Sequence, residues 1–277
     1  MANLIVSPQW LNEHLQDDNL RIVDIRGRVL PASEPAPHYF SHHEDYMASH
    51  IPNAVFVDWT TDIVEPESAT YDVANPERYA ILMGRLGIGD DTQVIVYDDA
   101  SGMFAARFWW TLQYYGHENV AVLDGGWQAW QANHYPTSSN VPQVESALFT
   151  PRVNTALVAM RADIEAGVQH LLDVRSPAEY VGTTSRARRK GHIPQAMNAS
   201  RKIFLTEEGT LKSPDELKQI FAERGITDSS DDVVIYCNSG VSASYGLLAL
   251  RMAGITTGRV YDSSWKEWGN TDDTPIE

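Results

Sequence analysis

Cysteine is all but absent from this chain, with one residue, Cys237, in 277. A lone cysteine cannot close an internal disulfide, so the fold has to be held by packing rather than by covalent staples. Basic residues are scarce too. Lys and Arg number 21 against 37 Asp and Glu, a formal net charge of −16. That balance argues against nonspecific binding to nucleic acid and against adhesion to anionic membranes. No apolar run approaches the ~20 residues that a membrane-spanning helix needs. The opening stretch, MANLIVSPQW, carries neither the basic segment nor the long apolar core of a secretory signal. These absences lead to the expectation of a soluble protein of a reducing cytoplasm. What is present is a 43% hydrophobic, 10% aromatic composition, enough for one large domain or two of ordinary size.

The chain repeats itself. LRIVDIR (20–26) returns as HLLDVR (170–175), and SHIPNAV (49–55) as GHIPQAM (191–197). RLGIGDDTQVIVYDD (85–99) returns as ERGITDSSDDVVIYCN (223–238), and VAVLDGGWQAW (120–130) as GRVYDSSWKEW (258–268). Four matches in the same order, offset by roughly 140 to 150 residues, imply duplication of a whole domain. The polar stretch 134–155 holds three prolines and no sustained period, which reads as a connection. The expected organisation is a first domain over 1–135, a linker over 136–155 and a second domain over 156–277.

Within each copy, short apolar runs alternate with helical patterns. HLLDV and DVVIYC read as buried strands. SPDELKQIFAERGI reads as a helix with Ser213 as N-cap, Pro214 at its first position, Glu216 closing a capping box and Gly225 ending it. VSASYGLLALRMAG reads as a second helix, GRVYD as a strand and SWKEW as a short closing helix. In the first copy, NPERYAILMGRLG is capped by Asn75 and Pro76. This alternation predicts an α/β fold of two similar domains, each a mostly parallel sheet with helices on both faces. Ligands of such sheets sit beyond the carboxyl ends of the strands, and Cys237 stands at such an end.

A buried free cysteine is often only a small hydrophobe. Here the sulfur faces a helix start, where amide N–H groups have no helical partners, and the small residues of NSGVSAS let the backbone curve around an anion. Such a field lowers a thiol pKa and favours the nucleophilic thiolate. Where the second copy has IYCNSG, the first has VYDDAS, with Asp98 at the sulfur's place. A carboxylate there cannot do thiolate chemistry and is expected to repel an anionic substrate. One copy therefore reads as active and the other as catalytically silent.

Taken together, DVR, GHIP, CNSGVSA and YDSSWKEWGN in order, with the degenerate first half, resemble the tandem-domain rhodaneses, the family of thiosulfate and 3-mercaptopyruvate sulfurtransferases. The resemblance runs over nearly all of the chain. It implies that Cys237 is the nucleophile and that Asn238, Ser239, Gly240, Val241, Ser242 and Ala243 cradle the sulfur through their backbone amides. It also implies a double displacement through a Cys237 persulfide, with no metal and no nucleotide cofactor. The implied partners are a small anionic sulfur donor and a thiol or cyanide acceptor, with a protein acceptor as an alternative, and neither nucleic acid nor membrane.

An anionic donor needs a local reversal of sign in so acidic a chain. SRARRKGHIP provides it, and arginines before GHIP reach the donor in the family, which carries over first to Arg186 and then to Arg188 and Arg189. Asp173 with Arg175, and Asp24 with Arg26, read as structural pairs. His50 and His192, matched in both copies, read as structural, and Trp127 and Trp265 as packing against the sheet. Mercaptopyruvate enzymes resemble one another in a Cys-Gly-Ser-Gly-Val-Thr-Ala loop with a histidine contributed by the first domain. This chain has Asn238 in place of the glycine and no histidine after HIPNAVFVDW, which favours thiosulfate as donor, with 3-mercaptopyruvate and a persulfide relay as alternatives. Ala243 at the arginine's place argues against a phosphatase of the Cys-x5-Arg type.

Overall fold

A computed structural model describes residues 3–277 and divides them into two compact units. The first takes the residues through Val29, Pro37–Pro66 and Val73–Asn154, and the second takes Leu30–Ala36, Glu67–Asp72 and Thr155–Glu277. Two short segments of the first half therefore belong to the second unit, which no repeat or charge pattern announces. Stretch 136–154 has no helix and belongs to the first unit, where Ala147 N–H donates to the Gly84 carbonyl and Arg152 N–H to that of Tyr115.

The strands of the first unit are β1 (Ile5–Val6), β2 (Leu20–Asp24), β3 (Gly27–Val29), β4 (Tyr39–Ser41), β5 (Ala54–Phe56), β6 (Gln93–Tyr97) and β7 (Val120–Leu123). Those of the second are β8 (Val158–Ala159), β9 (His170–Asp173), β10 (Met197–Asn198), β11 (Val233–Tyr236) and β12 (Gly258–Tyr261). The first sheet runs β1-β7-β6-β2-β5 and the second β8-β12-β11-β9-β10, every pair parallel. The two orders coincide position by position. The antiparallel β3–β4 hairpin belongs to the first unit alone.

The central strands β6 and β11 are apolar and β-branched because both faces of a parallel sheet are covered. Val233, Val234, Ile235 and Tyr236 are all buried. The helix read from Ser213 spans Pro214–Ala222 with the capping box in place, and that read from Asn75 spans Pro76–Arg85 with Asn75 accepting from Arg78 N–H. The helix after the cysteine spans Val241–Met252 and is buried over most of its length. No helix among the described residues is long and apolar enough to cross a membrane.

The repeat extends to side chains. Arg26 is paired with Asp24 and lies 4.5 Å over the Trp127 ring, while Arg175 is paired with Asp173 and lies 4.4 Å over Trp265. The Tyr97 hydroxyl accepts from Ile51 N–H at 3.1 Å and that of Tyr236 from Ile193 N–H at 3.2 Å, so each HIP turn is fastened to its central strand. His50 and His192 bond backbone carbonyls, those of Tyr46 and Tyr180, and stack on the same tyrosines. Gly191 is required by its turn: its φ is +110°, and a β-carbon there would overlap the Glu277 carbonyl oxygen.

Candidate active site

Cys237 follows β11 directly. Asn238, Ser239 and Gly240 then turn the chain into the helix Val241–Met252, with Gly240 at φ +74° as its N-cap. That cap offers no side-chain acceptor, so the first helical amides are left to look elsewhere. They find the sulfur: backbone N–H groups of Ser239, Ala243, Ser242 and Asn238 all bear on the Cys237 thiol. The loop is braced from behind. Trp265 N–H donates to the Cys237 carbonyl at 3.1 Å and Lys266 N–H to that of Asn238 at 3.0 Å. Cys237 and Gly240 N–H both donate to Ser264 Oγ, at 3.1 and 3.3 Å, and that hydroxyl donates to the Tyr261 carbonyl at 2.6 Å.

The first unit shows what such a cradle holds. Asp98 follows β6, and its buried carboxylate accepts from the N–H groups of Ala100, Gly102, Phe104 and Ala105 at 2.7 to 2.9 Å. The loop is one residue longer there, because four positions separate Asp98 from the N-cap Gly102 and three separate Cys237 from Gly240. From the sequence, Asp98 is a group that turns an anion away. The geometry is more specific, because the carboxylate is itself the occupant of the anion seat.

The acidity of the thiol corrects the sequence reading. Burial pushes Cys237 above the ordinary cysteine value, against the pull of the loop amides. Only 4% of the residue is exposed. Burial and the loop amides therefore pull the thiol in opposite directions, burial disfavouring the thiolate and the amides favouring it.

Arg186 is tied to the cysteine loop through Glu179. Its side chain is 9% exposed and its Nε lies 3.7 Å from Glu179 Oε1, while its guanidinium also donates to the Leu30 carbonyl. Glu179 accepts from Asn238 Nδ2 at 2.8 Å and is fixed by its capping box with Ser176. Arg186, Glu179 and Asn238 thus form one polar line ending beside the sulfur. The side chain of Asn238 belongs to this line, and its backbone amide belongs to the cradle. The structure does not bring Arg188 and Arg189 to the loop. Arg188 is 58% exposed and bonds Asp272 and Asn270, and Arg189 donates to the carbonyls of Trp268 at 2.9 Å and Thr274 at 2.8 Å. Both arginines tie down the C-terminal tail.

Two groups at the site escaped the sequence reading. Glu179 stands in SPAEY, where the Ser-x-x-Glu spacing signals only a helix cap. Lys266 stands inside SWKEW, where the tryptophans are the residues that signal packing. Burial brings Lys266 down to about 8, with Arg186 pushing the same way and Cys237 opposing.

Comparison with known proteins agrees with this architecture. The rhodanese-like domain model matches twice, over residues 7–133 and 157–271. The chain is 33% identical to the putative thiosulfate sulfurtransferase of Haloferax volcanii, over 99% of this chain and 96% of that one. It is 32% identical to the sulfur carrier protein TtuD of Thermus thermophilus, over 99% and 96%. With the 3-mercaptopyruvate sulfurtransferase of Escherichia coli the identity is 31% over 98% and 97%. The crystal structure of SseA from Escherichia coli, described as a 3-mercaptopyruvate sulfotransferase, superposes with a TM-score of 0.83 at 30% identity, covering 95% of this chain and 99% of that one. With two matched domains, the same strand order in each and relatives alike from end to end, the chain belongs to the rhodanese-like family.

Proposed function

We propose that the protein is a sulfurtransferase that takes a sulfane sulfur from thiosulfate onto Cys237 and passes it to cyanide or a thiol. The observation that carries this reading is the single cysteine at the mouth of an amide cradle whose twin, in the first unit, seats the Asp98 carboxylate through four N–H groups. A cradle that offers four N–H donors to one acceptor side chain suits a persulfide anion, and each such charge-assisted hydrogen bond contributes about 1.5–3 kcal/mol.

The chemistry is a double displacement. The Cys237 thiolate attacks the outer sulfur of thiosulfate. A new S–S bond forms, the old one breaks, and its electron pair leaves on sulfite. The terminal sulfur of the persulfide carries the negative charge into the cradle. Cyanide or a thiolate then attacks that terminal sulfur, and Cys237 departs as thiolate, ready for the next turnover. Arg186 draws the donor's anionic end, its fork held by Glu179. The first unit, with a carboxylate in place of the thiol, takes no sulfur.

Steady-state rates with thiosulfate and with 3-mercaptopyruvate test the donor. Thiosulfate is expected to have the larger kcat/KM. A mercaptopyruvate value about tenfold higher, a difference of about 1.4 kcal/mol in transition-state stabilisation, would reverse the assignment and leave the Cys237 chemistry intact. A second reading, delivery of the persulfide to one protein acceptor, draws support from the likeness to a protein named as a sulfur carrier. It predicts slow discharge to small thiols and fast discharge to that acceptor.

A further inference from the structure

Lys266 has a place in this site that neither the repeat nor the family motifs assign. Its backbone N–H holds the Asn238 carbonyl at 3.0 Å, so the residue is anchored to the cysteine loop. Its ammonium lies 3.9 Å from the centroid of the Tyr71 ring, within cation–π range. Tyr71 comes from the Glu67–Asp72 segment, which belongs to the second unit. Its φ of +65° is a conformation that a residue with a side chain rarely adopts. Asp72 secures it, accepting from Ser68 Oγ at 2.9 Å, Thr70 Oγ1 at 2.6 Å and Ser263 Oγ at 2.9 Å. The segment is thus fastened three residues before Lys266 in the chain, and a strained backbone is held in place to set an aromatic face under the cation.

The first unit supplies the contrast. Trp127 matches Trp265, so Gln128 stands where the second unit has Lys266. Gln128 is neutral, and its side-chain amide donates to the Asp99 carbonyl at 2.8 Å. The loop that already contains a carboxylate has an uncharged neighbour, and the loop that contains the thiol has a cation.

Resting on the sulfurtransferase reading above, we propose that Lys266 is a donor-binding residue: its ammonium, seated on Tyr71, shares with Arg186 the anionic end of the sulfur donor and holds the Cys237 thiolate by its charge. The charged groups that act on it are Arg186 and Cys237; Glu179 pairs with Arg186, Asp72 adjoins Tyr71 and accepts from Ser263 Oγ, and burial keeps the Tyr71 hydroxyl neutral. An ammonium brought down to about 8 is charged below that pH and loses its proton as the pH rises through it. Donor binding should therefore weaken on the alkaline side.

The test is rapid-mix loading of Cys237 with thiosulfate, read by intact mass across pH 6.5 to 9, together with the pH dependence of Cys237 alkylation in the unloaded protein. In Lys266→Gln the half-saturating thiosulfate concentration should rise about tenfold or more, the effect of losing one charge-assisted contact. The alkylation midpoint should also move to higher pH, which a merely structural residue would not cause. Lys266→Arg should restore both and remove the alkaline weakening, because a guanidinium does not titrate there. Tyr71→Leu, which keeps the charge and removes its seat, should raise half-saturation by a smaller factor. Should Lys266→Gln match the wild type in half-saturation and in alkylation midpoint, Lys266 binds no donor, whereas a wild type that takes up no sulfur at all would remove the underlying reading and this one with it.

Discussion

Cys237→Ser is expected to abolish sulfur transfer, lowering kcat by on the order of 10⁴-fold or to the uncatalysed background. The substitution is nearly isosteric and the loop is braced independently of the sulfur, through Ser264 Oγ and the Trp265 and Lys266 amides. The serine variant should therefore fold with a melting temperature close to that of the wild type. A serine oxygen in the same cradle has no accessible oxyanion at neutral pH and cannot form a persulfide, so every step after donor binding is lost. Donor binding itself should persist, because Arg186 and Glu179 are untouched. Measurable turnover in this variant, in a preparation free of wild type, would place the chemistry elsewhere.

The second large effect is on stability. Asp173 and Arg175 have fully buried side chains and form an ion pair. Arg175 Nε donates to both carboxylate oxygens at 3.0 Å, its Nη2 donates to the Gly191 carbonyl at 2.9 Å, and its guanidinium lies over Trp265. Removing one partner leaves a charge buried without compensation, at a cost of about 3–5 kcal/mol. Arg175→Met should lower the stability of the second unit by that amount in urea unfolding. Removing the second charge as well, in Asp173→Asn with Arg175→Met, should recover part of the loss, because the uncompensated carboxylate is then gone. A loss below about 1 kcal/mol in the single variant, the scale of an exposed pair, would show that the pair does not carry the junction of β9 with the GHIP turn.

The sequence was most informative where a local rule acts alone. The capped helices at Ser213 and Asn75, the buried strand before Cys237 and the twofold repeat are all legible from spacing and composition, and each lies where the reading put it. The repeat even carries over to the atomic pairing of Asp24 with Arg26 and Asp173 with Arg175. Legibility ended where charge and burial have to be weighed together. An amide field around Cys237 can be inferred from NSGVSAS, but the cost of burying the sulfur depends on what covers the loop. Arginines 186, 188 and 189 look alike in the chain. Their fates diverge because Glu179 collects the first, while the carbonyls and carboxylate of the tail at 268–274 collect the other two. Lys266 and Tyr71 are far apart in sequence and meet only because Glu67–Asp72 belongs to the second unit.

A sulfur with 4% of its residue exposed must still be reached by the donor, and this gives the most direct test of the central claim. The measurement is the intact mass of the wild-type protein after incubation with thiosulfate and removal of excess donor. The expected result is a gain of one sulfur atom per chain, absent in Cys237→Ser and reversed by cyanide with release of thiocyanate. An unchanged mass, or a gain that persists in Cys237→Ser, would contradict the claim that this thiol in its amide cradle is the carrier of the transferred sulfur.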